Sequence, residues 1–248
     1  MNLYFNGTVM KAEALRLSVL EEDYLNGTAL VETMHVKSGK ILNFPFHRDR
    51  FSEGAGVLLM PPPKKGELKR AADLLIRSNR LREGNLRCRY FRNGALLMHP
   101  LVPAKALRSK DAGIHLMTSA VRHYGAGSLQ GRLKANSMLS NLLSRWESQA
   151  WADDGLRLTP SGFVAEGVWT NILIEKAGVL MTPPLTEGIL EGTTRAVALK
   201  QWRSKGKPVK EIPLTRYDLY TADQVWVCSS MRGMLRVSEI DGRKIGKH

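Results

Sequence analysis

Several short runs of the chain are rich in hydrophobic, strand-favouring residues and are bounded by turn residues, which is typical of strands. The clearest run is Ala29–Val36, with the letters ALVETMHV. The Asn6-Gly7 dipeptide, which follows the predicted strand Leu3–Phe5, indicates a tight hairpin. The other predicted strands are Leu3–Phe5, Lys40–Asn43, Asn85–Phe91, Gly94–Val102, Ile114–Val121, Gly155–Leu158, Gly162–Glu166, Asn171–Glu175, Val179–Thr182 and Gln224–Cys228.

Four other segments repeat their apolar positions every three or four residues, which predicts helices. The first is Phe46–Leu59, which the prolines at 61–63 end. Lys69–Arg77 and Thr194–Trp202 are two more. The fourth covers residues 136–152 and carries an apolar stripe that we expect to be buried, formed by Met138, Leu139, Leu142, Leu143, Trp146 and Ala150.

Strands in neighbouring hairpins with separate helices predict an α+β fold rather than the alternating order of a doubly wound sheet. Residues 103–113 are polar and basic and begin with a proline. We therefore predict an N-terminal α+β lobe over 1–102, a linker over 103–113 and a C-terminal lobe over 114–248.

Composition narrows the classes of protein. With 248 residues, 43% of them hydrophobic, the chain is long enough for a real core. No apolar run approaches the ~20 residues that span a bilayer, so no membrane partner is expected. The first residues lack the pattern of a secretory signal. Cys88 and Cys228 stand alone, which predicts a cytoplasmic protein and no metal site.

The charge is unusual. The chain has 37 Lys+Arg against 23 Asp+Glu and a net charge of +14. Such an excess favours either nucleic acid or acidic small molecules as ligands, and composition does not choose between them.

Two residues could carry chemistry because of the apolar residues around them. Lys134 lies between Leu133 and the Met138-Leu139 pair, which suggests burial. Burial lowers the pKa of a lysine and suits it to Schiff-base or general-base work, although most lysines at a helix start are solvated. Glu166 stands alone between apolar strand residues, where a carboxylate needs a partner. A structural ion pair is the plain alternative for it.

Two further features suit an anion. Thr193 and Thr194 follow Gly192 at a predicted helix start, where backbone N–H groups favour a phosphate, or the threonine is simply an N-cap. Arg50 follows a strand on the first long helix and either points at an anion or extends to solvent.

The order of these pieces is more specific than any one of them. The stretches LKANSMLSNLLSRWE and GFVAEGVWTNILIEKAGVLMTPPLTEGILEGTTRAVAL, with VWVCSSMRGMLRVSEIDGRKIG near the end, resemble the class IV aminotransferase family. These are fold-type IV enzymes that use pyridoxal 5'-phosphate (PLP). The resemblance covers nearly the whole chain. It implies a two-lobed fold like that of D-amino acid aminotransferase, with a smaller N-terminal α/β lobe and a larger C-terminal lobe with a barrel-like sheet.

The resemblance also implies roles for single residues. Lys134 would bind PLP covalently and move the proton at the substrate Cα, and Glu166 would pair with the ring nitrogen. The cofactor phosphate would be held by Arg50, Thr193 and Thr194. A hydroxyl would come from Ser229 or Ser230. The family further implies a homodimer.

Within the family the chain looks most like 4-amino-4-deoxychorismate lyase of folate biosynthesis. Thr33 stands where branched-chain aminotransferases have Gly, and the lyase has a threonine there whose hydroxyl lies near the substrate Cα, so the resemblance makes Thr33 a candidate catalytic residue. The tyrosine that branched-chain enzymes carry shortly after the lysine is missing. The lyase releases 4-aminobenzoate and pyruvate from a substrate with two carboxylates. Arg87 and Arg89 share one strand face and are the candidates to bind that substrate. A solvated basic edge strand is the alternative for them.

Two other functions remain open. One is an aminotransferase of the same fold, acting on branched-chain or D-amino acids. The other is a basic nucleic-acid-binding protein on a PLP-enzyme scaffold. Nucleic acid is not the expected partner, because the chain shows no common RNA-binding or helix-turn-helix motif and its aromatic residues do not interleave with the basic runs.

Overall fold

The computed structural model describes residues 1–101 and 113–246 and divides them into two compact units. Unit 1 consists of residues 1–101 together with 134–138, and unit 2 of residues 113–133 and 139–246. The predicted linker over 103–113 lies outside the described residues except for Gly113.

Unit 1 is one antiparallel sheet with its two longer helices packed on one face. Its strands lie in the order β2-β1-β6-β5-β3-β4. They are β1 Asn2–Phe5, β2 Thr8–Lys11, β3 Leu30–Lys37, β4 Lys40–Ile41, β5 Glu83–Tyr90 and β6 Leu96–Leu101. The helices are α1 Glu22–Leu25, α2 Phe44–Val57 and α3 Glu67–Ser78. The predicted hairpin after β1 is present, with positive φ angles of 44° at Asn6 and 94° at Gly7.

Alternation along the strands separates the two faces of this sheet. One face packs against α2 and α3, where Met34, Leu86 and Met98 are fully buried. Antiparallel register puts residues that are directly opposite on the same face. The other face therefore carries the intervening residues of β3, β5 and β6, which include Thr33, Arg87 and Arg89.

Residues 134–138 differ from the predicted lobe boundary, which places them in the C-terminal lobe. The N–H of Val31 donates to the Lys134 carbonyl at 2.7 Å, and Asn136 donates to the Ala29 carbonyl at 2.8 Å. Ala135 forms an antiparallel bridge with Leu30. The segment is thus an added piece of strand at the start of β3, and backbone pairing explains why it belongs to unit 1.

Unit 2 contains a sheet in the order β12-β11-β10-β13-β14-β7-β8-β9, with β15 paired to β14. Its strands are β7 Ile114–Thr118, β8 Asp154–Leu158, β9 Val164–Gly167, β10 Asn171–Lys176, β11 Val179–Thr182, β12 Val209–Glu211, β13 Gln224–Ser229, β14 Gly233–Ile240 and β15 Arg243–Lys244. Its helices are α4 Leu129–Arg132, α5 Leu139–Ser148, α6 Thr193–Ser204 and α7 Arg216–Tyr220. The sheet curls into a half-barrel, and the α+β prediction is confirmed.

The predicted buried stripe of the helix at 136–152 is wrong. The helix is α5, and its buried residues are Ser144 and Ser148. The stripe faces outward, with exposed fractions of 63% at Leu139, 38% at Leu142, 43% at Leu143 and 55% at Trp146. The serines face β8, because a Cβ on Gly155 would lie 2.8 Å from the Ser144 hydroxyl. Small side chains allow this close approach, so the polar side of the helix is the one that packs.

Neither unit, over the residues described, contains a helix with the length and apolar character needed to cross a membrane.

Candidate active site

The outer face of the unit 1 sheet brings the candidate catalytic residue Thr33 together with the two arginines predicted to bind substrate. Register places Thr33 opposite Arg87 and places Arg87 opposite His99 of β6. Arg89 lies two residues along β5 on the same side. We call Thr33, Arg87, Arg89 and His99 the cationic face. The alternative of an edge strand is wrong, because β5 pairs with β3 on one side and β6 on the other.

Hydrogen bonds hold the cationic face in place. Arg87 Nε donates to the Thr33 hydroxyl at 3.2 Å. Arg89 Nε donates to Asn136 Oδ1 at 3.2 Å, and its Nη1 lies 3.0 Å from His99 Nε2. Burial and the charge of Arg89 lower the pKa of His99, so this ring is neutral at pH 7. Its Nδ1 then donates to the Pro100 carbonyl at 2.9 Å while Nε2 accepts from Arg89.

The two arginines leave a positive charge on this face. Burial, followed by the charge of Arg89, lowers the pKa of Arg87, but a guanidinium stays protonated in proteins. Within residues 1–101 and 113–246, neither Arg87 nor Arg89 forms an ion pair with a carboxylate. Such a half-buried pair of cations suits a ligand with carboxylate groups.

Lys134 belongs to the same side of the sheet. Its neighbour Ala135 is bridged to Leu30, which faces the helices. Side chains alternate along an extended chain, so Lys134 and Asn136 lie on the opposite side, which carries Arg89. Lys134 is half-buried rather than enclosed, and Leu139, which the sequence predicts to cover it, is exposed.

Arg50 lies on the helix-facing side of the sheet and is held by an acidic residue. Its Nε donates to Glu32 Oε1 at 2.7 Å, and its Nη2 donates to Oε2 at 2.8 Å. The His47 ring nitrogen Nδ1 lies 2.7 Å from the same Oε2. Glu32 and His47 are each 1% exposed, and both are parts of the site that sequence reasoning missed. The available signal was an acidic residue inside the apolar run ALVETMHV.

The Glu32 carboxyl is ionised in its contact with Arg50. Burial alone would raise the pKa of Glu32, but the charge of Arg50 and the hydrogen bond from His47 outweigh it and lower the pKa to about 2. A bidentate arginine–carboxylate pair also fixes the plane of the guanidinium. Glu32 therefore sets the orientation in which Arg50 is presented.

Glu166 has four donors in unit 2. Its Oε1 lies 3.2 Å from His123 Nε2 and 3.2 Å from Arg157 Nη2. Its Oε2 accepts from Asn171 Nδ2 at 3.2 Å and from the Leu190 N–H at 3.1 Å. Glu166 therefore has the partners that its burial requires, and one of them, Arg157, forms an ion pair with it.

The same contacts connect Glu166 to the start of α6. Asn171 also donates to the Leu190 carbonyl at 2.9 Å, two residues before Gly192. A Cβ on Gly192 would lie only 1.8 Å from Asn171 Oδ1, so this position has no room for a side chain. Thr193 is buried and Thr194 half-buried at the first positions of the helix. The first N–H groups of a helix have no intrahelical acceptor, and its N-terminus favours anions.

Ser229 and Ser230 lie at the end of β13, next to these elements. Cys228 pairs with Asn171 in the register of β13 and β10, and it packs with Ala198 and Leu199 of α6. Both serines are half-buried.

These residues have the chemistry that PLP requires. Unit 2 offers a buried carboxylate for the ring nitrogen and a helix N-terminus for the phosphate. Unit 1 offers the amine of Lys134 for the carbonyl carbon and the guanidinium of Arg50 for the phosphate. At the start of α6, Gly192 lies so close to the Asn171 side chain that a Cβ would have no room. Taken by itself, each unit therefore offers donors of a kind that fits the cofactor.

Comparisons with known proteins give one family. The model of the family Amino-transferase class IV matches residues 29–240. A putative branched-chain-amino-acid aminotransferase of Methanocaldococcus jannaschii is 32% identical over 259 residues, covering 99% of this chain and 90% of that protein. The solved branched-chain aminotransferase of Escherichia coli is similar with a TM-score of 0.91 at 25% identity, covering 99% of this chain and 88% of that one. The T.th. enzyme with pyridoxamine 5'-phosphate gives a TM-score of 0.90 at 27% identity, over 99% and 88% of the two chains.

The likeness in fold confirms the predicted fold-type IV architecture and supports PLP as the cofactor. The relatives named above are branched-chain aminotransferases, which agree with the predicted alternative better than with the lyase. With a family match that extends over most of its length, this chain belongs to the class IV amino-transferase family.

Proposed function

We propose that the protein is a PLP-dependent aminotransferase that moves an amino group between a branched-chain amino acid and 2-oxoglutarate. Lys134 binds the cofactor covalently and Glu166 faces its ring nitrogen. Arg50, Thr193 and Thr194 hold the phosphate, with a hydroxyl from Ser229 or Ser230. PLP, when bound, withdraws electrons from the substrate Cα and so makes its proton removable.

The chain's own residues do the rest. Lys134 would take the proton from the substrate Cα and pass it to the carbon that bore the cofactor's aldehyde, so that the amino group stays with the cofactor. Glu166 keeps a negative charge opposite the ring nitrogen. Glu32 keeps Arg50 in one orientation, so the phosphate meets a fixed donor.

The observation that carries the proposal is the cationic face on the side of the sheet where Lys134 lies. 2-Oxoglutarate has two carboxylates, and Arg87 and Arg89 supply two positive charges without an acidic partner among the described residues. Because the relatives named above are branched-chain aminotransferases, a branched-chain amino acid is our first choice for the amino-group donor.

A second candidate is 4-amino-4-deoxychorismate lyase, which would place the protein in folate biosynthesis. The observation in its favour is the Thr33 hydroxyl on the cationic face, bonded to Arg87. A hydroxyl there can reach a substrate on the same face, and the two arginines suit a substrate with two carboxylates.

The test starts with the cofactor. Protein purified with PLP is expected to absorb in the visible range and to lose this band on borohydride reduction. The reduction should leave the cofactor permanently attached, as a label, to a peptide that contains Lys134. Lys134→Ala should abolish labelling. Lys176→Ala is the matched control, because Lys176 is bound to the Thr221 hydroxyl at the surface. A protein that takes up no PLP, or that binds nucleic acid with a steep salt dependence instead, would overturn the proposal.

The substrate is then found by two assays on the same preparation. One pairs L- and D-amino acids with 2-oxoglutarate and measures glutamate. The other supplies aminodeoxychorismate and measures pyruvate and 4-aminobenzoate. Glutamate formed from leucine, isoleucine or valine supports the aminotransferase, whereas pyruvate release without amino transfer supports the lyase.

We also propose a homodimer in the cytoplasm. The outward stripe of α5 places Leu139, Leu142, Leu143 and Trp146 on one side at helical spacing, which suits the same stripe of a second copy. Both cysteines are buried as free thiols, with pKa values raised to about 12 by burial, as fits a protein of a reducing compartment.

A further inference from the structure

Arg157 is a buried arginine whose position is set by the register of two strands. It lies on β8 directly opposite Glu166 on β9. Only 1% of its surface is exposed, which makes it one of the largest fully buried side chains of the described residues. A directly opposite pair on one face is within contact distance, so the pairing of β8 with β9 brings this cation to Glu166.

Its contacts are few for a buried arginine. Nη2 donates to Glu166 Oε1 at 3.2 Å, and Nη1 donates to the Ser140 hydroxyl at 3.3 Å. Nε has no hydrogen-bond partner among the described residues. Taking a guanidinium out of water is costly, and a single contact with each partner compensates little of that cost.

Arg195 shows what a buried structural arginine looks like in the same unit. Its Nε donates to the Thr182 hydroxyl at 3.3 Å, and its Nη2 donates to the Pro183 carbonyl and to Glu211 Oε2, both at 2.9 Å. The two Nη2 contacts of Arg195 are shorter than either contact of Arg157, and its Nε is bonded. Arg157, by contrast, has its charge directed at a carboxylate that three other donors also share.

Resting on the proposed function, we propose that Arg157 is a positioning residue that shares the Glu166 carboxylate and so weakens its hold on the proton of the cofactor's ring nitrogen. An isolated carboxylate favours a protonated ring nitrogen. A cation at 3.2 Å from the same carboxylate cancels much of that effect, because two positive charges then compete for one negative charge. Arg157 thereby sets how strongly the ring withdraws electrons.

The other charged groups around Glu166 do not replace Arg157. His123 touches Oε1 with Nε2 and leaves its Nδ1 without a partner among the described residues. Asp154 lies behind Gly167, where burial raises its pKa. Beside Leu190, Arg132 and Glu191 face each other at 3.7 Å. Arg157 is therefore the arginine in ion-pair contact with Glu166 in the described part of the chain.

The experiment loads the protein with PLP carrying ¹⁵N in the ring and follows the nitrogen chemical shift with pH. Arg157→Met should raise the pH at which the ring nitrogen loses its proton by about one unit or more. Arg157→Lys keeps the charge and should stay close to wild type. An Arg157→Met titration that coincides with wild type would overturn the inference, and so would an Arg157→Lys titration that moves as far as Arg157→Met.

Two further variants keep the test decisive. Arg157→Gln replaces Arg157→Met if the latter does not fold, since it removes the charge but keeps a polar side chain. Glu166→Gln should lower the pH at which the ring nitrogen loses its proton. If Glu166→Gln has no effect, the proposed place of Glu166 opposite the ring fails. If Glu166→Gln acts and both neutral variants of Arg157 do not, only the present inference fails.

Discussion

Glu32 is the residue on which the geometry of Arg50 depends. It is fully buried, its carboxylate binds Arg50 twice, and it also contacts His47. Glu32→Gln removes the buried negative charge that Arg50 and His47 both contact. We expect the free energy of unfolding to fall by about 3 kcal/mol, measured by urea denaturation at pH 7.

The same residue predicts a pH dependence. The pKa of Glu32 is lowered from an ordinary 4.5 to about 2 in the folded protein. Its contribution is therefore complete above pH 4.5 and is lost as the pH falls from 4.5 toward 2. Glu32→Gln should lose this part of the acid sensitivity. Asp49→Asn, in the exposed pair with Arg48, is the control and should stay within about 0.5 kcal/mol of wild type at pH 7.

Arg89 offers a test of the substrate. Arg89→Leu removes one cation of the cationic face, and we expect the KM for 2-oxoglutarate to rise at least about tenfold while PLP stays bound. Arg92→Leu is the control, because Arg92 is exposed and lies beyond the end of β5. An unchanged KM in Arg89→Leu would show that another group binds the acceptor.

Single residues differ in how far the sequence could predict them. Glu166 and the Gly192-Thr193 start of α6 have local signals, namely a lone acid among apolar residues and a glycine before two threonines. Glu32 shares the first of these signals, but neither Glu32 nor Arg157 has a signal that names its partner, because the partners lie on other strands and helices. Their contacts depend on strand register and helix packing, which a single sequence does not give.

At the scale of elements, the start of α6 depends on Gly192, a position that has no room for a side chain. A Cβ on Gly192 would lie 1.8 Å from Asn171 Oδ1, in the group that also holds Glu166. Gly192→Ala should therefore displace Asn171 and lower the free energy of unfolding by about 2 kcal/mol. Affinity for PLP should fall as well, which equilibrium dialysis measures.

Gly56→Ala is the matched control in another helix. A Cβ there meets nothing within 4 Å, and the φ angle of Gly56 is not positive. Alanine should stabilise α2 by about 0.5–1 kcal/mol, since glycine is costly inside a helix. If both variants lost stability equally, the close approach at Gly192 would not be the cause.

The helix α5 shows where reasoning from elements fails. The sequence predicts the helix and its apolar stripe, but the side that packs on β8 is the serine side. Periodicity indicates that a helix has an apolar side and not what that side meets. Here α5 lies so close to Gly155 of β8 that only small side chains fit between them. The large apolar side chains of α5 therefore lie on its exposed side.

At the scale of the molecule, the division of the chain into units could not be read from composition. A polar, basic stretch indicates a linker, and that prediction assigns everything after it to one lobe. Residues 134–138 instead add to the sheet of unit 1 by two backbone hydrogen bonds and a bridge. Strand addition by a distant segment leaves no mark in composition, and in this case it places the lysine on the face with the arginines.

The exposed stripe of α5 leads to the last prediction, which concerns assembly. Four large apolar side chains at positions i, i+3, i+4 and i+7 form one patch on the surface of the described chain. Burial of such a patch against a second copy removes apolar surface from water in both copies.

We expect the protein to sediment as twice its 27.7 kDa chain mass. Leu142→Asp combined with Trp146→Asp should give a monomer with an unchanged circular dichroism spectrum, because both side chains lie outside the core. Tyr217→Asp, at an exposed position of α7, should leave the mass at that of a dimer. A dimer that persists in the double variant would place the contact between copies elsewhere.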